Sequence, residues 1–451
     1  MVLGPRARWC QFRRGLRARA AVGAASLGLA AALLGEAPNA QAARPVATIE
    51  RPDEALFPQK ACSDAAPVCV HAAQGVGGPA ALRALGAGER ALRIVDALAM
   101  PGPWPDGGRG GSAAFDVYLR ADDAPPAFAI DVDSLGEGLD RASAFAVIGA
   151  GPRASRGCAL EGAVTRAVGF ALSMRFDAGM EDGATSLLAS YLEDLTGACP
   201  VEVLQAVDDY QGRPELALAR GDATEADGAL LFPHFLDQTF GAGTPGDVLG
   251  GLLAVSAQRT PPDALDFVDE PDFFDALRNN LRVRSERVDK ALLDFAVARA
   301  FVGTRDDGLH LDDVARFGDA GRVRVEWDVP FASLPRRLAP MRPVDPTGTV
   351  YFWLDLRGAQ MNEEVTFQGE WEAGVLFRWA LVKVDETGAE RGRVEPAAMN
   401  GSMAAQATVI GLGGLAGLLV VGVNAGSIDR SHPYDPDEEH HPSGCTVRFE
   451  R

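Results

Sequence analysis

Ala144-Phe-Ala-Val-Ile148, followed by Leu160-Glu-Gly-Ala-Val-Thr-Arg-Ala-Val-Gly-Phe-Ala-Leu172, carries two different periodicities within thirty residues or so. The first is a short unbroken apolar run of strand length. In the second, Leu160, Val164, Ala167, Val168, Ala171 and Leu172 recur at i, i+4, i+7 and i+8, which is one apolar stripe of a helix. Working backwards, Ala114-Phe-Asp-Val-Tyr-Leu119 is a second buried strand and Val68-Cys-Val-His-Ala72 a third. Leu82, Leu85, Leu92, Val95 and Leu98 place a helix over residues 79–99. Working forwards, a turn at Asp177-Ala-Gly179 leads to a helix striped by Leu187, Leu188, Tyr191, Leu192 and Leu195. Further helices are expected over 201–207, 229–240, 247–256, 272–280 and 288–301.

After residue 321 the pattern becomes that of strands. Strand-length runs are expected at 322–329, 349–356, 364–368, 375–384, 407–410, 418–423 and 446–449, separated by turn residues such as Asp385-Glu-Thr-Gly388. Short strands at that density indicate an antiparallel β-sandwich. The fold class is therefore α+β: a mainly helical domain with a small sheet over residues 68–310, then a sandwich over 321–451. The Gly-rich apolar run 409–423 imitates a membrane span and, at Gly411-Leu-Gly-Gly-Leu-Ala416, a dinucleotide fingerprint. It is short for a span and lacks a second βα unit, so paired strands explain it better.

Six arginines precede an apolar stretch at 20–34, and Ala40-Gln41-Ala42 supplies small residues at −3 and −1. Residues 1–42 read as a signal peptide cleaved before Ala43, with residues 43–67 as an N-terminal extension and an extracytoplasmic destination, secreted or periplasmic. Removing that peptide takes away the six arginines and Glu36, moving the formal charge from −19 to −24. So acidic a chain, with three lysines beyond residue 42, disfavours nucleic acid and anionic membrane surfaces as partners. Five cysteines remain, and sequence proximity in an exported chain favours Cys62 with Cys69 and Cys158 with Cys199, leaving Cys445 over.

The succession of Gly107-Gly-Arg-Gly-Gly111, the strands, the 160–172 helix, Ala189-Ser-Tyr-Leu-Glu-Asp194, residues 228–241 and residues 292–303 resembles exported bacterial zinc metalloproteases of the thermolysin-like, gluzincin kind, such as those of myxobacteria with a β-rich C-terminal domain. The likeness lies in the order of these motifs and spans most of the chain after residue 42. It implies a His-Glu-x-x-His helix, a pattern that binds zinc through imidazoles one turn apart. Carried over, the first His falls on Thr165, the catalytic Glu on Arg166, the second His on Gly169 and the third ligand near Ser186. None of these binds zinc, and Arg166 reverses the charge of the general base. A rival register keeps a carboxylate at Glu161 and offers Glu181, with Asp182 beside it, but has Leu160 and Val164 where the histidines belong.

Other ligand sets are sparse. His234 reads as a helix-surface or partly buried side chain. In His432-Pro-Tyr-Asp-Pro-Asp-Glu-Glu-His-His441, Asp435, Asp437 and Glu438 are donors suited to Ca²⁺, and His440 adds one suited to Zn²⁺. The loop lacks the Gly and the spacing of an EF-hand, so a solvated loop is expected and no cofactor is assigned. No G-x-S-x-G elbow or P-loop is present. The sequence points to an exported, catalytically inactive metallopeptidase-like protein that binds a protein or peptide. Its alternatives are a hydrolase with a carboxylate site built from Glu161 and Glu181, and an envelope or surface structural protein acting through the β-domain.

Overall fold

The computed structural model describes residues 43–45, 50–131, 140–219, 226–241, 244, 246–257, 266–268, 270–399, 402–427 and 443–451. The signal peptide and the 432–441 loop, with Asp435, Asp437, Glu438 and His440, lie outside these residues. Two short strands, β1 (Ala43–Pro45) and β7 (Asp266–Val268), pair antiparallel. The strand expected at 68–72 is β3 (Val68–Ala72), inside a five-stranded sheet ordered β2-β3-β4-β6-β5, with β2 Gln59–Cys62, β4 Phe115–Arg120, β5 Ala127–Ile130 and β6 Ala144–Gly149. β3, β4 and β6 run parallel, and the edges β2 and β5 are antiparallel. Parallel strands need both faces covered, which is why β3, β4 and β6 are buried almost throughout. Helices α1 (Gly78–Ala97) and α2 (Ala159–Phe176) cover one face. The segment read as an extension supplies the edge strand β2, tied to β3 by the Cys62–Cys69 disulfide.

The remaining helices are α3 (Asp182–Thr196), α4 (Pro200–Gln211), α5 (Leu231–Phe240), α6 (Asp247–Ser256), α7 (Phe273–Val283) and α8 (Val288–Ala300). Each matches an expected helix, with ends displaced by a few residues. Two five-stranded sheets follow. One is ordered β13-β12-β16-β10-β8: Glu390–Val394, Val375–Asp385, Leu415–Ser427, Thr349–Asp355 and Trp327–Pro330. The other is ordered β14-β15-β11-β17-β9: Ala397–Ala398, Ala404–Ile410, Glu364–Trp371, Cys445–Glu450 and Arg336–Leu338.

The first of these two sheets is buried on both faces. Phe352, Trp379, Leu381, Leu418 and Val420 face the other sheet, sharing a core with Val365, Phe367, Val447 and Phe449. Their alternates Tyr351, Ala380, Val382, Leu419 and Val421 face the helices and join the first core. Period two with both faces covered accounts for the unbroken Leu418-Leu-Val-Val-Gly-Val423. The apolar run is thus divided between β15 and β16, and no helix among the described residues is long and apolar enough to cross a membrane. Tyr351 donates to the Ala296 carbonyl at 2.7 Å, and Arg378 of β12 holds Asp289 of α8. Gln41–Arg451 forms one compact unit whose core runs across residues 310–321.

Residues 322–325, the start of the run expected as a strand, have no ladder partner among the described residues, and pairing with β10 begins at the Glu326 amide, which donates to the Tyr351 carbonyl. The Arg324 amide instead donates to the Gln211 carbonyl at the end of α4, so the alternating Val323 and Val325 bury against helices before β8 begins at Trp327.

Candidate functional site

Helices α2 and α3 pack side by side at very small residues. A Cβ on Gly169 would lie 2.6 Å from the Ala189 Cα, so only glycine allows this approach. The Cys158–Cys199 disulfide fastens the start of α2 to the start of α4. One turn into α2, Gly162 leaves room for Glu193 of α3 and Glu202 of α4, whose carboxylate oxygens lie 2.5 and 2.9 Å from where its Cβ would be. The next turn presents Arg166. A single 3₁₀ turn, Asp227–Leu230, closes onto α4 because Gly228 lies against the Ala206 carbonyl.

These elements enclose a cleft of about 230 Å³ lined by Arg166, Glu193, Glu202, Asp209, Asp227 and Leu230, among others. The Arg166 guanidinium is its electrostatic centre. It donates to Asp227, and lies 3.3 Å from Glu193 and 3.4 Å from Glu202. Burial alone would lower its affinity for a proton, but Asp227, Glu193 and Glu202 outweigh that and raise it. Burial pushes the Glu193 carboxyl up to about 7 against the pull of Arg166, and also raises Asp227 and Glu202. Glu193 Oε1 has no hydrogen-bond partner among the described residues.

Does this set fit zinc? Donor atoms of Glu193, Cys199 and Glu202 lie within 4.8 Å of one another. Cys199 is bonded to Cys158, however, so its sulfur is not a thiolate, no imidazole belongs to the group, and a guanidinium rests on both carboxylates. The residues present do not fit the metal. The described histidines are engaged elsewhere: His71 with Asp116 at 2.9 Å, His234 with Asp194 at 2.7 Å, and His310 near Glu390 at 3.3 Å.

Of the positions carried over from the metalloprotease resemblance, Arg166 alone opens to the cleft. Thr165 is wholly buried, and Gly169 has no room for any side chain, so these two cannot flank a ligand. The pairing of Glu161 with Glu181 also needs correction. Glu161 is near the start of α2 and is held by Arg83 through two bonds of 2.7 Å, whereas Glu181 immediately precedes α3, whose start follows the other end of α2. About fifteen residues of helix, roughly 20 Å, separate those ends, too far for one site. Ser186 and Asp182 are likewise outside the cleft.

The sequence reading missed Glu193, Glu202 and Asp227 as a group. It also missed Asp194, which accepts two bonds from Arg316 as well as the His234 bond. Burial raises this carboxyl, but His234 and Arg316 outweigh burial and hold it down to about 2. A second buried network joins Arg51 to Asp131 at 2.7 Å, to Asp106 at 3.0 Å and to Asp116. It sutures the N-terminal segment to the first sheet, and burial leads the forces that push Asp106 up to about 6. No protein-family model matches the chain, and no curated protein matches it.

Proposed function

We propose that this is an exported, metallopeptidase-like protein with a gluzincin-type helical domain and a C-terminal β-sandwich, inert toward peptide bonds, whose cleft binds a basic segment of a protein or peptide. The observation that carries the reading is the Arg166 guanidinium seated between Glu193, Glu202 and Asp227. It supplies the positive charge that buried carboxylates require without the Lewis acidity that peptide hydrolysis by such a fold draws from zinc. Carboxylates outnumber the guanidinium, and the exposed Asp209, Val201 and Leu204 stand at or near the mouth. At about 230 Å³ the cleft is below the roughly 300–1,000 Å³ of small-molecule sites and suits one Lys or Arg side chain. The two disulfides agree with an extracytoplasmic setting.

A second reading rests on Glu193. A carboxyl held near pH 7 beside Glu202 has the proton affinity of a general acid or base, so the two could serve a hydrolase that uses carboxylates without metal. One set of measurements on protein beginning at Ala43 separates these readings. Calorimetry against Lys- and Arg-containing peptides should show salt-sensitive binding that Asp227→Asn weakens, with neither zinc uptake nor cleavage. Stoichiometric zinc or chelator-sensitive proteolysis would overturn the inert reading, and cleavage abolished by Glu193→Gln would establish the second.

A further inference from the structure

A larger cavity, of about 390 Å³, lies where the end of α8 meets the sheet that packs on it. Its floor is aromatic. The Trp353 indole of β10 lies flat over β16, because a Cβ on Gly417 would come within 2.1 Å of the ring; glycine there opens a place for it. Phe301, Val384 and Leu419 complete the apolar wall.

Arg305, at the end of the 3₁₀ turn Gly303–Arg305, lines the same cavity. Among the described residues its guanidinium makes no hydrogen bond or ion pair, although it is half-buried and the protein is strongly acidic. Asp306, Asp328, Asp385 and Glu386 also line the cavity, yet they are turned to other work or to solvent. Asp385 accepts from Thr387 and Arg391, and Asp306 from the Gly308 amide. Burial and the neighbouring Arg322 together lower the proton affinity of Arg305, and no carboxylate offsets them. A half-buried cation without a counter-charge costs free energy that a bound anion would recover.

We propose that this cavity is a binding site for a carboxylate borne on an aromatic or aliphatic group, the carboxylate on Arg305 and the apolar body on Trp353. The planar fork of a guanidinium matches a carboxylate through two parallel bonds, and the indole supplies the apolar contact. The volume lies within the range of small-ligand sites. Both a free acid and the C-terminal residue of a peptide present this chemistry.

The test uses protein beginning at Ala43 and three probes followed by calorimetry: N-acetyl-phenylalanine, its amide, and a tripeptide ending in phenylalanine. The acid should bind saturably. The amide, and the acid with Arg305→Gln, should bind about tenfold or more weakly, the scale of a lost charged hydrogen-bond pair. Arg305→Lys should retain part of the affinity, and unchanged circular dichroism would show that both variants fold. Tighter binding of the tripeptide than of the free acid assigns the site to peptide C-termini, and the reverse assigns it to small acids. Equal binding of acid and amide, indifference to Arg305→Gln, or no saturable binding of either carboxylate probe would overturn the proposal. Because neither Arg166 nor Glu193 is touched, failure here leaves the reading of the α2 cleft standing.

Discussion

Replacing Arg166 by methionine removes the cation that, among the described residues, sits between Glu193, Glu202 and Asp227, while keeping most of the apolar stem. Breaking a buried ion pair from one side costs about 3–5 kcal/mol. Here Arg166 is 24 % exposed and Glu202 35 %, so water screens part of the loss and about 2–3 kcal/mol is expected at pH 8. With about 2.1 cal/mol/K per residue over some 409 residues, that is a fall of about 3 °C in Tm. The sign of the pH dependence is specific. The unfolded chain releases the Glu193 proton near 4.5 and the native protein holds it to about 7, so native stability falls as pH rises through that window. The full difference amounts to about 3 kcal/mol in the parent protein. In Arg166→Met the carboxyl holds its proton to higher pH still, so the variant's deficit, which includes the lost Asp227 and Glu202 pairs, should be smaller at pH 5 than above pH 7. Adding Glu193→Gln should recover much of it. Urea titrations of the four proteins at pH 5, 7 and 8 measure the cycle. A deficit that is absent at pH 8, or equal at pH 5 and pH 8, would refute the assignment of Arg166 as the counter-charge.

Peptide mapping without reduction should recover Cys62–Cys69 and Cys158–Cys199 as linked pairs, with the buried Cys445 thiol alkylated only after unfolding. Replacing Cys158 and Cys199 together by alanine releases a 41-residue loop and should lower stability by about 3–4 kcal/mol in denaturant titrations. Asp194, held down to about 2 by Arg316 and His234 against burial, contributes stability that is present above 3.8 and lost as pH falls toward 2. Asp194→Asn should therefore cost about 2 kcal/mol near neutrality and remove that part of the acid transition, as followed by circular dichroism.

Helices and buried strands were legible because their periodicity reports burial directly. Exposed edges were not: Glu390-Arg-Gly-Arg-Val394 pairs with β12, yet only one face of one neighbour touches it, so its side chains carry no apolar alternation. Residues 322–325 show the converse. Alternation at Val323 and Val325 reports two buried side chains but says nothing about whether the backbone finds a ladder partner. The cleft was hidden for a different reason. Glu193, Glu202 and Asp227 reach one guanidinium from α3, α4 and a 3₁₀ turn, and no spacing encodes that convergence. A partial signal did exist. Asp194 falls three residues after Tyr191 and seven after Leu187, on the apolar stripe of its own helix, and a carboxylate there needs a partner.

The position of Gly162 bears on how the cleft relates to a metal site. Gly162 and Arg166 stand one turn apart on α2, and Glu193 faces both from α3. Two imidazoles at 162 and 166 with the Glu193 carboxylate would form a His₂Glu set, the donor chemistry of zinc peptidases. On the proposed reading, then, the relevant pair is shifted from Thr165 and Gly169 to Gly162 and Arg166. In Gly162→His with Arg166→His the new Cβ at 162 displaces the flexible ends of Glu193 and Glu202 and abuts the Cys199 Cβ at 3.0 Å, and the variant should gain stoichiometric zinc by elemental analysis, whereas Thr165→His with Gly169→His should fail to fold, because the Gly169 Cβ meets the Ala189 backbone, which cannot swing aside. A folded Thr165/Gly169 variant that bound zinc, beside a Gly162/Arg166 variant that did not, would sink this register. An arginine at the second position leaves charge without Lewis acidity: Asp227, Glu193 and Glu202 hold its proton more tightly than water would, so it can neutralise Glu193 and Glu202 but cannot ionise a water between them.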